Sequence, residues 1–86
     1  MPEISRFFGI IIRIFFDDHN PPHFHAEYGG ETAALDLRDL TILGGSLPPR
    51  ALGLVIEWAT LHRQELADDW GRAQAGEPLL RIPPLE

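Results

Sequence analysis

The 86-residue sequence contains no cysteine and no lysine, and it has only one extended apolar stretch. Without cysteine there is no disulfide framework, no thiolate zinc site and no cysteine nucleophile. The apolar stretch near the start is much shorter than the roughly 18 residues that span a bilayer, and Arg13 interrupts it. Glu3 stands where a signal peptide would carry basic residues. We therefore expect a cytoplasmic protein that has no membrane partner.

All basic residues are arginine, seven of them, and the formal net charge is −6. Affinity for phosphate groups comes mostly from cations, so a net negative chain is a poor general binder of nucleic acid. Arginine suits planar recognition of carboxylate or phosphate, which leaves a local arginine site open. A chain of this length is expected to form a single domain, residues 1–86, around one core.

The segment GIIIRIFF, residues 9–16, carries the strongest strand signal in the sequence. Side chains alternate between the two faces of a strand, so the uniformly apolar even positions are predicted to face the core. These positions are Ile10, Ile12, Ile14 and Phe16. The odd positions, which include Ile11, Arg13 and Phe15, are then predicted to lie on the opposite face.

Two further alternating segments, 23–28 and 32–37, flank the pair Gly29-Gly30 and predict a hairpin with a two-residue turn. This register sets His23 opposite Asp36. It also places the histidines on the polar face. A slip of one residue would bury the histidines and expose Phe24, so the alternation favours this register. The polar cluster is thus expected on the sheet face away from the core.

Residues 39–45 predict a turn and a short extra strand, and the segment from Pro49 to Ala75 predicts one long helix that ends at Gly76. The proline-rich tail, residues 77–86, is expected to be extended or mobile. The predicted fold is α+β, in the order β-β-β-(β)-α. Three to four antiparallel strands form the sheet, and one long helix packs on one face.

Apolar residues cover more of this helix than a small sheet can bury. We therefore predict a partner surface on the second helical stripe and the open sheet face, where exposed apolar side chains flank the polar cluster. Its residues are Ile11, Phe15, Leu54, Trp58 and Leu61. The tryptophan fits a core position as well as an interface. The partner is expected to be another small protein or a second copy of the chain.

The histidines of the hairpin suggest acid–base chemistry. His23 and His25 lie on one strand face, Asp36 is placed to orient His23, and Arg13 is placed to hold an anion. These are the groups needed to cleave a phosphodiester when a ribose 2′-hydroxyl is the nucleophile. A solvated strand face with a few cross-strand pairs is the plainer interpretation.

Metal binding is a competing use of the same segment. His19, His23 and His25, with Asp17 or Asp18, have spacings that fit Zn²⁺ or Ni²⁺. The spacing H-x3-H-x-H is a weak motif without cysteines, and our first expectation is that no metal or other cofactor is needed.

The order of these features resembles one family. The segments PEISRFFGIIIRIFFDDHNPPHFHAEYGG and GSLPPRALGLVIEWATLHRQELADDW are similar to the small bacterial proteins called domain of unknown function 4160. The positions that match the family's most specific motif are Asp18, His19, Asn20, Pro21, Pro22, His23, Phe24 and His25. The resemblance implies a DhiT-like toxin of a type II toxin–antitoxin pair, neutralised by a small antitoxin-like partner.

Three functions follow from the sequence. The first is a toxin that cleaves RNA without a metal, through the histidine, arginine and aspartate surface. The second is a non-enzymatic regulatory module that docks a small partner protein. The third is a metal-binding domain.

Overall fold

The computed structural model describes residues 2–86 and consists of one antiparallel sheet and two helices. The strands are β1 (Glu3–Phe7), β2 (Ile10–Arg13), β3 (His23–Tyr28), β4 (Glu31–Asp36) and β5 (Ile42–Gly45), and the helices are α1 (Pro49–Leu61) and α2 (Arg63–Gln74). The strands lie side by side in chain order, each antiparallel to the next. The α+β class is confirmed, whereas the predicted three to four strands and single long helix are wrong in detail.

The additional strand is β1, which pairs with β2 through a tight turn at Phe8 and Gly9. Both turn residues have positive φ, 50° and 79°. β2 is also shorter than predicted, since it ends at Arg13. The prediction that Phe16 faces the core is wrong: the pairing has stopped three residues earlier, and the side chain is exposed.

The hairpin of β3 and β4 has the predicted register. Phe24 pairs with Leu35, and His23 pairs with Asp36. Gly29 and Gly30 form the turn with φ of 56° and 84°, a left-handed conformation that glycine adopts without steric conflict. The alternation therefore buries Phe24 and leaves the histidines on the other face.

The predicted long helix is interrupted at His62, which has φ −126° and ψ 31°. Its amide donates to the Ala59 carbonyl and its own carbonyl accepts from Leu66, so one residue ends α1 and starts α2. Each of the two helices buries one side. The buried residues are Ala51, Val55, Trp58 and Ala59 in α1 and Leu66, Asp69, Trp70 and Ala73 in α2.

Trp58 lies at the centre of the core. It is fully buried, 5.4 Å from the ring of Phe7 and 6.1 Å from that of Phe24. Its indole Nε1 donates to the Pro83 carbonyl at 2.9 Å. Residues 77–86 form no helix or strand, yet Ile82 is buried and its amide donates to Ile4 of β1 at 2.8 Å. This segment therefore covers the outer edge of β1.

Within residues 2–86, neither helix has the length and apolar character needed to cross a membrane.

Candidate functional site

The loop between β2 and β3 folds back over the start of β3 and brings one carboxylate to two histidines. Asp18 Oδ2 lies 3.1 Å from His25 Nε2 and 3.3 Å from His23 Nε2. One ligand atom from each of the three side chains lies within 4.8 Å of the other two, and all three residues are half-buried. The two imidazole rings stand 5.1 Å apart at a steep angle of 70°. Both Nε2 atoms thus lie close to the same oxygen, and that of His25 is hydrogen-bonded to it.

The proton on His23 is fixed by the loop that precedes it. His23 Nδ1 lies 2.7 Å from the Pro21 carbonyl oxygen, and a carbonyl oxygen only accepts hydrogen bonds. Nδ1 therefore carries a proton, and a neutral His23 presents the Nε2 lone pair to the Asp18 carboxylate. This lone pair is free to accept a hydrogen bond or to coordinate a metal ion.

Aromatic and amide side chains hold the cluster in place. The His25 ring meets Phe15 edge to face at 4.7 Å, and the His23 ring lies 5.3 Å from Trp70 of α2. Gln74, the last residue of α2, donates to the backbone carbonyl of Asp18 at 3.2 Å. The end of α2 therefore fixes the loop that supplies the carboxylate.

A shallow groove of about 350 Å³ opens beside the cluster. Its lining is Asp18, His19, Asn20, Pro21 and His23 from the loop and β3, with Ala34, Leu43 and Gly44 from β4 and β5. The small residues on the strand side leave room for a ligand next to the imidazole.

His19 lies in this groove but outside the three-residue cluster. Of the metal ligands predicted from the sequence, Asp18, His23 and His25 converge in the described residues, whereas His19 does not join them. The spacing along the chain left Asp17 and Asp18 open as the carboxylate, because the fold-back of the loop decides which of the two points inward.

Asp36 lies opposite His23 as predicted, but its carboxylate is engaged elsewhere. Arg38 donates to it from Nη2 at 2.6 Å, from Nε at 3.0 Å and from its backbone amide at 2.7 Å. These side-chain hydrogen bonds lower the pKa of Asp36 to about 2. The carboxylate that faces His23 is therefore that of Asp18.

Arg13 pairs with His25 in the sheet register, and its guanidinium is also engaged. Its Nε donates to Glu27 Oε2 at 2.7 Å. The positive charge that the sequence suggested for a phosphate is consequently neutralised by a carboxylate of the same sheet face.

The predicted partner residues separate into three groups. Ile11, Phe15 and Leu54 are half-buried, and Leu61 is exposed. Trp58 has to be removed from the predicted surface, because its side chain is fully buried and a partner cannot reach it without opening the core.

The fold and the cluster define a small α+β protein whose antiparallel sheet carries a histidine–aspartate centre at the start of its central strand. The chain belongs to the domain of unknown function family DUF4160, which its residues 9–71 match. The family expected from the motif is therefore confirmed. No curated protein and no solved structure matches the chain.

Proposed function

We propose that this protein binds one divalent transition-metal ion, of which Zn²⁺ is the representative, through Asp18, His23 and His25. The observation that carries the proposal is the convergence of both imidazole Nε2 atoms on one carboxylate oxygen, at 3.1 and 3.3 Å. Imidazole and carboxylate ligands suit zinc and its neighbours in the first transition row.

The distances from the Asp18 oxygen to the two imidazole nitrogens fit a metal ion. Zinc binds histidine nitrogen and carboxylate oxygen at about 2.0–2.2 Å, so two ligands of a tetrahedral ion lie roughly 3.4 Å apart. The two distances to the Asp18 oxygen are close to this value. The bond from His23 Nδ1 to the Pro21 carbonyl is the outer hydrogen bond that metal-binding histidines usually make, and it aims the Nε2 lone pair inward.

A bound metal would also provide the positive charge that an RNA-cleaving toxin needs and that the side chains do not provide. A phosphodiester needs positive charge at its oxygens, yet the chain has a net charge of −6 and Arg13 is engaged by Glu27. Asp18, His23 and His25 would hold the metal, and a metal bound there would supply positive charge and activate a water molecule. We therefore extend the proposal to a toxin of a type II pair that cleaves RNA at this centre with the help of a metal.

The metal is tested first on protein purified without an affinity tag and without a chelating resin. Elemental analysis and zinc titration calorimetry are run on wild type, Asp18→Asn, His25→Gln and His19→Gln. The expected result is one metal per chain in wild type and His19→Gln, with loss of binding in the other two variants. Substoichiometric metal in wild type, or equal loss in His19→Gln, would reject the proposed ligand set.

The reaction is tested separately by inducible expression in a bacterial host at matched soluble levels. Growth arrest with RNA cleavage in wild type, abolished in Asp18→Asn, is the expected result. Metal binding without growth arrest would retain the metal site and reject the toxin. Growth arrest that persists in a folded Asp18→Asn variant would show that toxicity does not depend on this centre.

A further inference from the structure

A second pocket lies at the other end of the sheet from the histidine–aspartate cluster. It measures about 280 Å³ and is lined by Phe8, Tyr28, Arg50, Ala51 and Leu54. Phe8 in the turn between β1 and β2 and Tyr28 at the end of β3 supply its aromatic wall, and the first turns of α1 supply the rest. Pockets for whole small molecules start at about 300 Å³, so the size suits one large side chain better than a cofactor.

Phe8 is in an unfavourable backbone conformation at this pocket. It has φ of +50° in the turn between β1 and β2, where asparagine or glycine is the usual residue. A positive φ is rare for a bulky side chain. The residue is 58% exposed, so burial in the core does not explain the choice of phenylalanine. Backbone strain of this kind concentrates at functional positions.

Among the described residues that line the pocket, Arg50 contributes the only charge. Within residues 2–86, each of the other six arginines donates to a carboxylate or a carbonyl, and Arg50 alone has no such acceptor. No acidic residue lies in the first turn of α1 either. In a chain of net charge −6, this guanidinium is available to a carboxylate from outside.

We propose that this pocket docks an acidic, apolar segment of a partner protein. One large apolar side chain of the segment packs between Phe8, Tyr28 and Leu54, and a neighbouring aspartate or glutamate binds Arg50. The site is independent of the metal proposed above. It also differs from the partner surface suggested by the sequence, with which it shares only Leu54.

The test uses a defined peptide and the full chain. The probe is a pentapeptide with tryptophan and leucine flanked by acidic residues, followed by amide chemical shifts in a ¹H–¹⁵N titration. One control peptide replaces the acids by lysine, and the other replaces the two apolar residues by serine. The expected result is saturable binding of the first peptide alone, with the largest shifts around Phe8, Tyr28 and Arg50.

Two variants examine the two halves of the pocket. Arg50→Glu should weaken binding by about tenfold or more, whereas the control Arg63→Glu on the exposed side of α2 should not change it. Phe8→Asn should also weaken binding while the protein remains folded, because asparagine tolerates the left-handed turn.

Several results would overturn the proposal. These are the absence of saturable binding, equal binding of either control peptide, or indifference to both pocket variants. Phe8-dependent dimerisation in sedimentation experiments would assign the surface to a second copy instead. Phe8-dependent sedimentation with phosphatidylcholine–phosphatidylglycerol vesicles would assign it to a lipid surface.

Discussion

Zinc should raise the melting temperature of the protein through Asp18, and the size of the effect can be worked out. A ligand at about 100 times its Kd stabilises the folded state by about 2.7 kcal/mol. For a domain of this length, each kcal/mol shifts the melting temperature by roughly 4–8 °C, so wild type should gain about 10–20 °C. The ligand atoms already converge within 4.8 Å, so little of this gain is spent on rearrangement.

Asp18→Asn should lose most of that gain. The substitution removes the one charged ligand, whose oxygen faces both imidazoles at 3.1 and 3.3 Å. Removing a residue that only hydrogen-bonds to a metal ligand lowers metal affinity by about 10–100-fold. Removing a ligand itself should lower the affinity by at least about 100-fold. At the same zinc concentration the remaining stabilisation is about 0.4 kcal/mol, or roughly 2–3 °C.

The assay is differential scanning calorimetry with and without zinc, with His19→Gln as the matched control. The control removes an imidazole that lies in the groove but outside the cluster, so it should keep the full shift. An equal shift in wild type and Asp18→Asn would refute the reasoning. So would a lower melting temperature with zinc, because that result means the metal prefers the unfolded chain.

Three further changes test the fold around the site. Trp58→Phe should lower the free energy of unfolding by about 2 kcal/mol in urea titrations, since it replaces the buried indole by a smaller ring and removes the hydrogen bond to the Pro83 carbonyl. Arg38→Gln should raise the pKa of Asp36, which the Arg38 hydrogen bonds hold at about 2, below its unfolded value. In melting experiments the variant should therefore be less stable than wild type above about pH 4, and this difference should vanish as the pH falls towards 2. Gly45→Ala should destabilise the protein by about 2 kcal/mol or more, since φ is +75° and a Cβ would collide with a backbone carbonyl. Gly44→Ala, which meets nothing, should stay within about 0.5 kcal/mol of wild type in the same assay.

The hairpin was predictable because its alternation admits one register. Phe24 and the two histidines alternate, so only one pairing across Gly29-Gly30 buries the ring and exposes the imidazoles. β1 was not predictable in the same way. Its turn places Phe8 at a position where turn preferences favour asparagine or glycine, so Gly9 alone leaves only a weak turn signal there.

The helix interruption and the carboxylate of the site depend on tertiary structure. No glycine or proline stands at His62, and the periodic apolar pattern continues through it, so local preferences predict an unbroken helix. The sequence pattern likewise favoured Asp36 as the partner of His23 because the two lie opposite in register. Arg38 engages Asp36, and the fold-back of the loop supplies Asp18 instead.

The two proposed sites lie at opposite ends of β3, and this separation makes a prediction of its own. His23 and Tyr28 are five residues apart, a distance of about 16 Å at the rise of a strand. No described hydrogen bond or ring contact joins the two sets of residues. Asp18→Asn and Arg50→Glu should therefore act independently. For zinc binding and for peptide binding alike, the free-energy change in the double variant should equal the sum of the changes in the two single variants to within about 0.5 kcal/mol. A larger coupling would refute the independence of the two sites.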